Sequence, residues 1–184
     1  ELDSEPDVQV IITPNQMQQT ALESIAAVRA VGNNKAIVIS ATGTGKTILS
    51  ALDVRAFDPV RLLFVVHREQ ILDRTIEEYR RVLGGPDSNY GKLTGNFRQG
   101  ERRYVFATVQ TLSRSGVLAG FAPNAFDYVI VDEAHRAASS SYRQVMEHFK
   151  PEFLLGLTAT PERTDGVNVF ELFDYNVPYE IRLN

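Results

Sequence analysis

Apolar residues in this chain fall into short unbroken runs, separated by longer stretches where they recur every three or four positions. The runs are Ala36–Ser40, Arg61–Val66, Tyr104–Thr108, Phe126–Val131 and Phe153–Leu157. An unbroken run, rather than an alternating one, predicts a strand buried on both faces. Between the runs lie helical stripes. Met17, Ala21, Ile25 and Val28 share one face that ends at Gly32. Its start is read at Thr13-Pro14-Asn15-Gln16, with Thr13 as cap and Gln16 closing a capping box. Leu72, Ile76, Tyr79 and Leu83 form a second stripe, stopped by Gly84-Gly85-Pro86. Tyr142, Val145, Met146 and Phe149 form a third, stopped by Pro151. Residues 87–103 are polar and read as a loop with one short strand at Tyr90–Leu93, and 177–183 read as a last strand. Strands alternating with helices predict an α/β fold, a mostly parallel sheet with helices on both faces.

Composition narrows the class. At 184 residues, 43% hydrophobic and 23% charged, the chain fits one globular domain, read as 10–184 after a polar tail or linker at 1–9. It begins at Glu1 rather than Met and is read as a fragment or a processed chain. No apolar stretch is long enough for a membrane span and no secretory leader is visible, so no membrane partner and a cytoplasmic location are expected. Absence of cysteine excludes disulfides and thiolate metal sites, and His67, His135 and His148 lack metal-ligand spacing. A net charge of −4 confines any nucleic-acid contact to a local patch.

Chemistry concentrates at the ends of three runs. The first leads into Ser40-Ala41-Thr42-Gly43-Thr44-Gly45-Lys46-Thr47. Thr42, Gly43, Thr44 and Gly45 predict a tight loop of inward amide hydrogens ahead of a helix that starts near Lys46. Lys46 reaches the β- and γ-phosphates of ATP, and the Thr47 hydroxyl reaches Mg²⁺. Ser40 stands where the general pattern has glycine. The bland alternative is an ordinary glycine turn. The second run ends in Asp132-Glu133-Ala134-His135. A carboxylate at a buried strand end needs a cation or donors, and Mg²⁺ beside phosphates supplies one for Asp132. Glu133 is placed to orient or deprotonate an attacking water. The alternative is a solvated acidic loop or a capped helix. The offset of His135 points to a hydrogen bond with a neighbouring strand end, at Thr158 or Thr160. Those threonines belong to Leu157-Thr158-Ala159-Thr160-Pro161, which closes the third run. Ligands of open α/β sheets sit beyond the carboxyl ends of the strands, where all three segments fall.

The ordered set SATGTGKT, FVVHREQIL, ATVQTL, VIVDEAH and GLTATPER resembles the first RecA-like domain of superfamily 2 helicases and translocases. Within that group it is similar to the DEAH-type branch that includes the motor subunit of type III restriction enzymes. The resemblance covers residues 10–183. It implies a RecA-like P-loop NTPase fold, with Lys46 and Thr47 handling phosphate and Mg²⁺. It makes Asp132 the metal-linked acid, Glu133 the base, and Thr158 and Thr160 the couplers of nucleotide state to nucleic-acid contact, bridged by His135. Gln18 resembles the adenine-reading glutamine, with Gln16 as its rival. Arg68, Thr108 and Gln110 resemble backbone-contact residues. For Arg68, pairing with Glu69 is the alternative; for Thr108, a simple helix cap. The small basic cluster Arg98, Arg102 and Arg103 reads as solvated surface.

The expected function is therefore the ATP-binding half of a nucleic-acid-dependent ATPase, acting on DNA before RNA. It needs a second RecA-like domain, without which this stretch is expected to be nearly inactive. Two other classes compete: a nucleotide-dependent switch without motor output, and a small-molecule phosphotransferase. The intact Glu133 and Thr158-Ala159-Thr160 argue against both.

Overall fold

The computed structural model describes residues 11–40, 43–159, 168–177 and 179–181. Among them the strands are β1 (Lys35–Ser40), β2 (Leu62–Val66), β3 (Tyr90–Leu93), β4 (Tyr104–Thr108), β5 (Tyr128–Asp132), β6 (Phe153–Thr158) and β7 (Tyr179–Ile181). The helices are α1 (Gln16–Ala30), α2 (Gly43–Phe57), α3 (Leu72–Leu83), α4 (Val109–Leu112), α5 (Ser115–Leu118), α6 (Ser140–His148) and α7 (Val169–Leu172). The strands form one sheet in the order β3-β4-β2-β5-β6-β1-β7, with every pair parallel.

The unbroken apolar runs have the predicted cause. Val38, Phe64, Phe106, Ile130 and Leu155 pack on one face with Leu52 of α2 and Tyr79 of α3. Their neighbours Ile37, Val65, Ala107, Val131 and Leu154 pack on the other with Leu112, Tyr142 and Phe173. Each of these five strands, β1, β2, β4, β5 and β6, thus contributes to two cores. Gly156 on β6 allows a close approach: a Cβ there would lie 2.6 Å from Phe173 and 3.0 Å from Ala134.

Polar groups inside are paired. Asp53 is 1% exposed. It takes two hydrogen bonds from Arg29, at 2.6 and 2.8 Å, and one from the Tyr128 hydroxyl at 2.6 Å, which ties α1, α2 and β5 together. Burial pushes the Tyr128 phenol well above its usual range, so it stays a donor. At the opposite end of β5 from Asp132, the Asp127 carboxylate accepts from the Val60 and Arg61 amides, both at 2.8 Å.

The sheet edge at β3 is covered by the chain's own return. Leu93 and Arg98 form an antiparallel bridge. Gln99 N donates to the Lys92 carbonyl at 2.9 Å, and Lys92 N donates to Gln99 Oε1 at 3.0 Å. Gly91 is required there, since a Cβ would sit 2.5 Å from the Gln99 carbonyl oxygen.

Three expectations are corrected. The cap of α1 is Asn15, not Thr13, and its capping-box partner is Gln18, not Gln16. Met17, read as part of the buried face, is 58% exposed; the buried positions begin at Ala21. α2 begins at Gly43, so both glycines lie in its first turn rather than in a loop before Lys46. The basic cluster lies at the surface as read, with Arg98 exposed and Arg102 and Arg103 half-exposed, and it also donates to the fold: Arg98 to the Thr94 carbonyl, Arg102 to that of Ser88, and Arg103 to Asp58 and the Pro59 carbonyl. The proposed tail at 1–9 lies outside the described residues.

Candidate active site

Sheet order brings the chemistry together. β6 lies between β1 and β5, with Ile39 opposite Thr158 and Asp132 opposite Leu157. The ends of β1, β6 and β5 are therefore adjacent, and each carries one of the three motifs. Residue Thr42 lies outside the described residues, as does Thr160. Lys46, on the first turns of α2, is only 9% exposed. Burial pushes the Asp132 carboxyl above its usual range. The Glu133 amide, the Lys46 ammonium and His135 pull it back.

The backbone turns sharply after Asp132. Glu133 takes a left-handed conformation, φ 52° and ψ 47°, uncommon for a residue with a side chain. Its amide donates to Asp132 Oδ1 at 2.9 Å. A 3-10 turn, Ala134–Arg136, follows. Buried Ala134 packs over β6, and the turn sends its next two side chains to different partners. His135 Nδ1 lies 3.0 Å from the hydroxyl of fully buried Thr158, one of the two contacts read from the sequence. Burial lowers the His135 pKa, which favours the neutral imidazole. Arg136 Nε donates to Glu133 Oε2 at 3.1 Å. That pair escaped the sequence reading, although acid and base three apart on a helical turn are neighbours.

A second zone lies beyond β2 and β4. The Gln110 amide group donates to the His67 carbonyl at 2.9 Å, joining the two strand exits. The His67 ring stacks on Tyr142 at 6.4 Å, and the Tyr142 hydroxyl donates to the Asp132 carbonyl at 3.4 Å. His67, Gln110 and Tyr142, with Val109, Arg136 and Ser139, line a cleft of about 340 Å³. Arg68 is exposed and stands at the N-cap of a 3-10 turn. Thr108 occupies the N-cap position of α4 but caps nothing with its side chain; buried, it donates to the Thr111 hydroxyl at 2.9 Å. Gln18 is occupied as a cap partner: its Oε1 accepts from the Asn15 amide at 3.0 Å. Gln16, its rival for the adenine, takes no part in the capping box.

The seven-stranded parallel sheet with motifs at adjacent strand ends defines a RecA-like domain of the superfamily 2 helicase class. The fold is shared with the Pyrococcus furiosus Hef helicase domain, with a TM-score of 0.70 at 20% identity over 88% of this chain and 38% of that one. Residues 11–163 match the family described as type III restriction enzyme, res subunit, and the chain belongs to that family. It is 25% identical over 172 residues to the type I restriction enzyme EcoAI endonuclease subunit of Escherichia coli. It is 33% identical over 132 residues to the DNA 3'-5' translocase XPB2 of Sulfurisphaera tokodaii. These matches cover 88% and 72% of this chain but only 21% and 28% of the relatives' own lengths. Among the described residues no helix is long and apolar enough to cross a membrane.

Proposed function

We propose that this chain is the ATP-binding first half of a nucleic-acid-dependent motor. One observation carries the reading: the ends of β1, β6 and β5 are adjacent, so the start of α2 with Lys46, the half-buried Asp132 and Thr158, bonded to His135, meet at one edge of the sheet. A cation from a helix start and an acid from a strand end then face one small volume. That is the charge pattern a nucleoside triphosphate requires.

In this reading the amides of Gly43, Thr44 and Gly45 and the Lys46 side chain hold the phosphates, and Gln18, with Gln16 as the alternative, faces the adenine. The donor set suits Mg²⁺. Among the described residues no three His, Cys, Asp or Glu side chains cluster into a cage. Mg²⁺ is typically held by one or two protein oxygens plus phosphates and water, here Asp132 and Thr47. When bound, it supplies charge neutralisation at the phosphate oxygens. Glu133 orients the attacking water and takes its proton as the β–γ phosphoanhydride bond breaks. His135 and Thr158, with Thr160, relay the change. Arg68 and Gln110 face the nucleic-acid backbone, and Thr108, buried against Thr111, takes a positioning part behind them. DNA is favoured over RNA because a relative is named as a DNA translocase. A second RecA-like domain completes the cleft.

Glu133→Gln in the full-length protein tests the reading. Turnover should fall by at least about a hundredfold, the usual minimum for general base catalysis. ATP-dependent retention on DNA should persist in a filter-binding assay. Near-normal hydrolysis by this variant would show that the chemistry lies elsewhere.

A further inference from the structure

Arg136 belongs to both zones of the molecule. Its guanidinium holds Glu133 Oε2 at 3.1 Å, and it also lines the 340 Å³ cleft with His67, Gln110, Ser139 and Tyr142. The sheet order explains this double position. β5 is bordered by β2 on one side and by β6, then β1, on the other. The turn after β5 therefore stands between the cleft beyond β2 and β4 and the Lys46 region beyond β1. His135 of that turn bonds to Thr158 on the Lys46 side, and Arg136 opens onto the cleft side.

The strength of the Glu133–Arg136 pair limits its role. The two side chains are 34% and 39% exposed. An ion pair so open to solvent is worth only about 0.2–1 kcal/mol, so a better anion displaces it readily. A phosphodiester is such an anion, because its oxygens match the planar fork of a guanidinium. The cleft offers further donors for a backbone phosphate, the Ser139 and Ser141 hydroxyls.

We propose that Arg136 is a positioning residue that restrains the Glu133 carboxylate while the cleft is empty of nucleic acid. A backbone phosphate entering between His67, Gln110 and Tyr142 takes over the guanidinium and leaves Glu133 to the attacking water. This rests on the reading of Glu133 as the base, and it adds how nucleic acid switches that base on. The restraint is small: a pair of this strength holds the resting rate down by about fivefold at most. The rest of any stimulation arises elsewhere in the motor.

The test is steady-state ATP hydrolysis by the full-length protein, with and without a random-sequence DNA duplex. In Arg136→Gln the DNA-free kcat should rise by about 1.4-fold to fivefold, with KM for ATP within about twofold of the parent, and DNA stimulation should shrink by a similar factor. Arg136→Lys, which keeps a cation beside Glu133, should restore a low resting rate. Ser141→Asp places a competing carboxylate in the cleft, at the first turn of α6 where the helix dipole favours an acid. It should raise the DNA-free rate as well, and it decides the matter alone if Arg136→Gln does not fold. An unchanged or lower DNA-free rate in the folded Arg136→Gln protein overturns the proposal, as does an unchanged rate in Ser141→Asp. Glu133→Gln separates the two levels. If it hydrolyses ATP, the assigned base is wrong; if it is inactive while the arginine variants behave like the parent, only the restraint is wrong.

Discussion

Asp132 weakens the fold that it serves. Its carboxyl is raised by burial, so the folded state binds the proton more tightly than the unfolded chain does. The stabilising contribution of such a group is present below the unfolded value of about 3.9, and is lost as pH rises through the raised folded value. At neutral pH the ionised side chain is therefore a net cost in the nucleotide-free protein. Asp132→Asn keeps the oxygen that accepts from the Glu133 amide and removes the charge. It should stabilise the nucleotide-free chain by about 0.5–2 kcal/mol at neutral pH, a typical gain for relieving a functional site. Thermal unfolding near neutral pH and again in acid checks this: the advantage should shrink below the carboxylate range. A melting temperature for the variant at or below the parent's at neutral pH would contradict the argument. His135 has the opposite sign. A base whose pKa is lowered in the folded state loses stability as pH falls through the folded value, so acid protonation of His135 opposes the relief at Asp132. At this scale the motif residues were legible because their types carry the chemistry, and the His135 contact because its offset from the strand end limited its partners. The cap of α1 was not. Thr13, Asn15, Gln16 and Gln18 all suit a helix start, and the choice depends on Ala21 and Ile25 being the residues that reach the core while Met17 stays in solvent. The left-handed turn at Glu133 was equally hidden, since nothing in a glutamate announces positive φ.

Among elements, β6 makes a close joint with its neighbours. Its Gly156 faces Phe173 on one neighbour and Ala134 of the acidic turn on another. Gly156→Ala would force both to shift, at a cost of about 1–3 kcal/mol. The expected signature is a lower denaturant midpoint, with nucleotide affinity reduced as well because Ala134 and Glu133 move as one turn. Loss of stability with unchanged affinity would mean that Phe173 alone absorbs the strain. The Arg29–Asp53–Tyr128 cluster makes a second demand. Asp53→Ala leaves a largely buried guanidinium without its acid, and removing one partner of such a pair costs about 3–5 kcal/mol. Urea denaturation measures it; a shift under about 1 kcal/mol would show that solvent reaches Arg29. The strands themselves were readable from the unbroken apolar runs, because burial on both faces erases alternation. The cluster was not. Arg29, Asp53 and Tyr128 are far apart in sequence, and only the packing of α1 and α2 on β5 brings them into contact.

For the whole molecule, the proposed motor needs a partner half to complete the transition-state charge. A truncation after residue 184 should hydrolyse ATP about 10³-fold or more slowly than the full-length protein with DNA, the order lost when an arginine finger is missing. A coupled-enzyme assay on both proteins checks it, and comparable turnover would place the complete catalytic set within these residues. Sheet order was beyond the reach of the sequence. Parallel strands alternate with helices under many orders, and the position of β6 between β1 and β5 is what makes neighbours of motifs more than a hundred residues apart. The return of residues 94–99 over β3 has a consequence of another kind. By satisfying Lys92 on its outer side, it removes a bare row of amides and carbonyls on which a foreign strand could assemble. Proteolytic nicking of that flap should therefore show itself first as self-association, with the rest of the domain still folded.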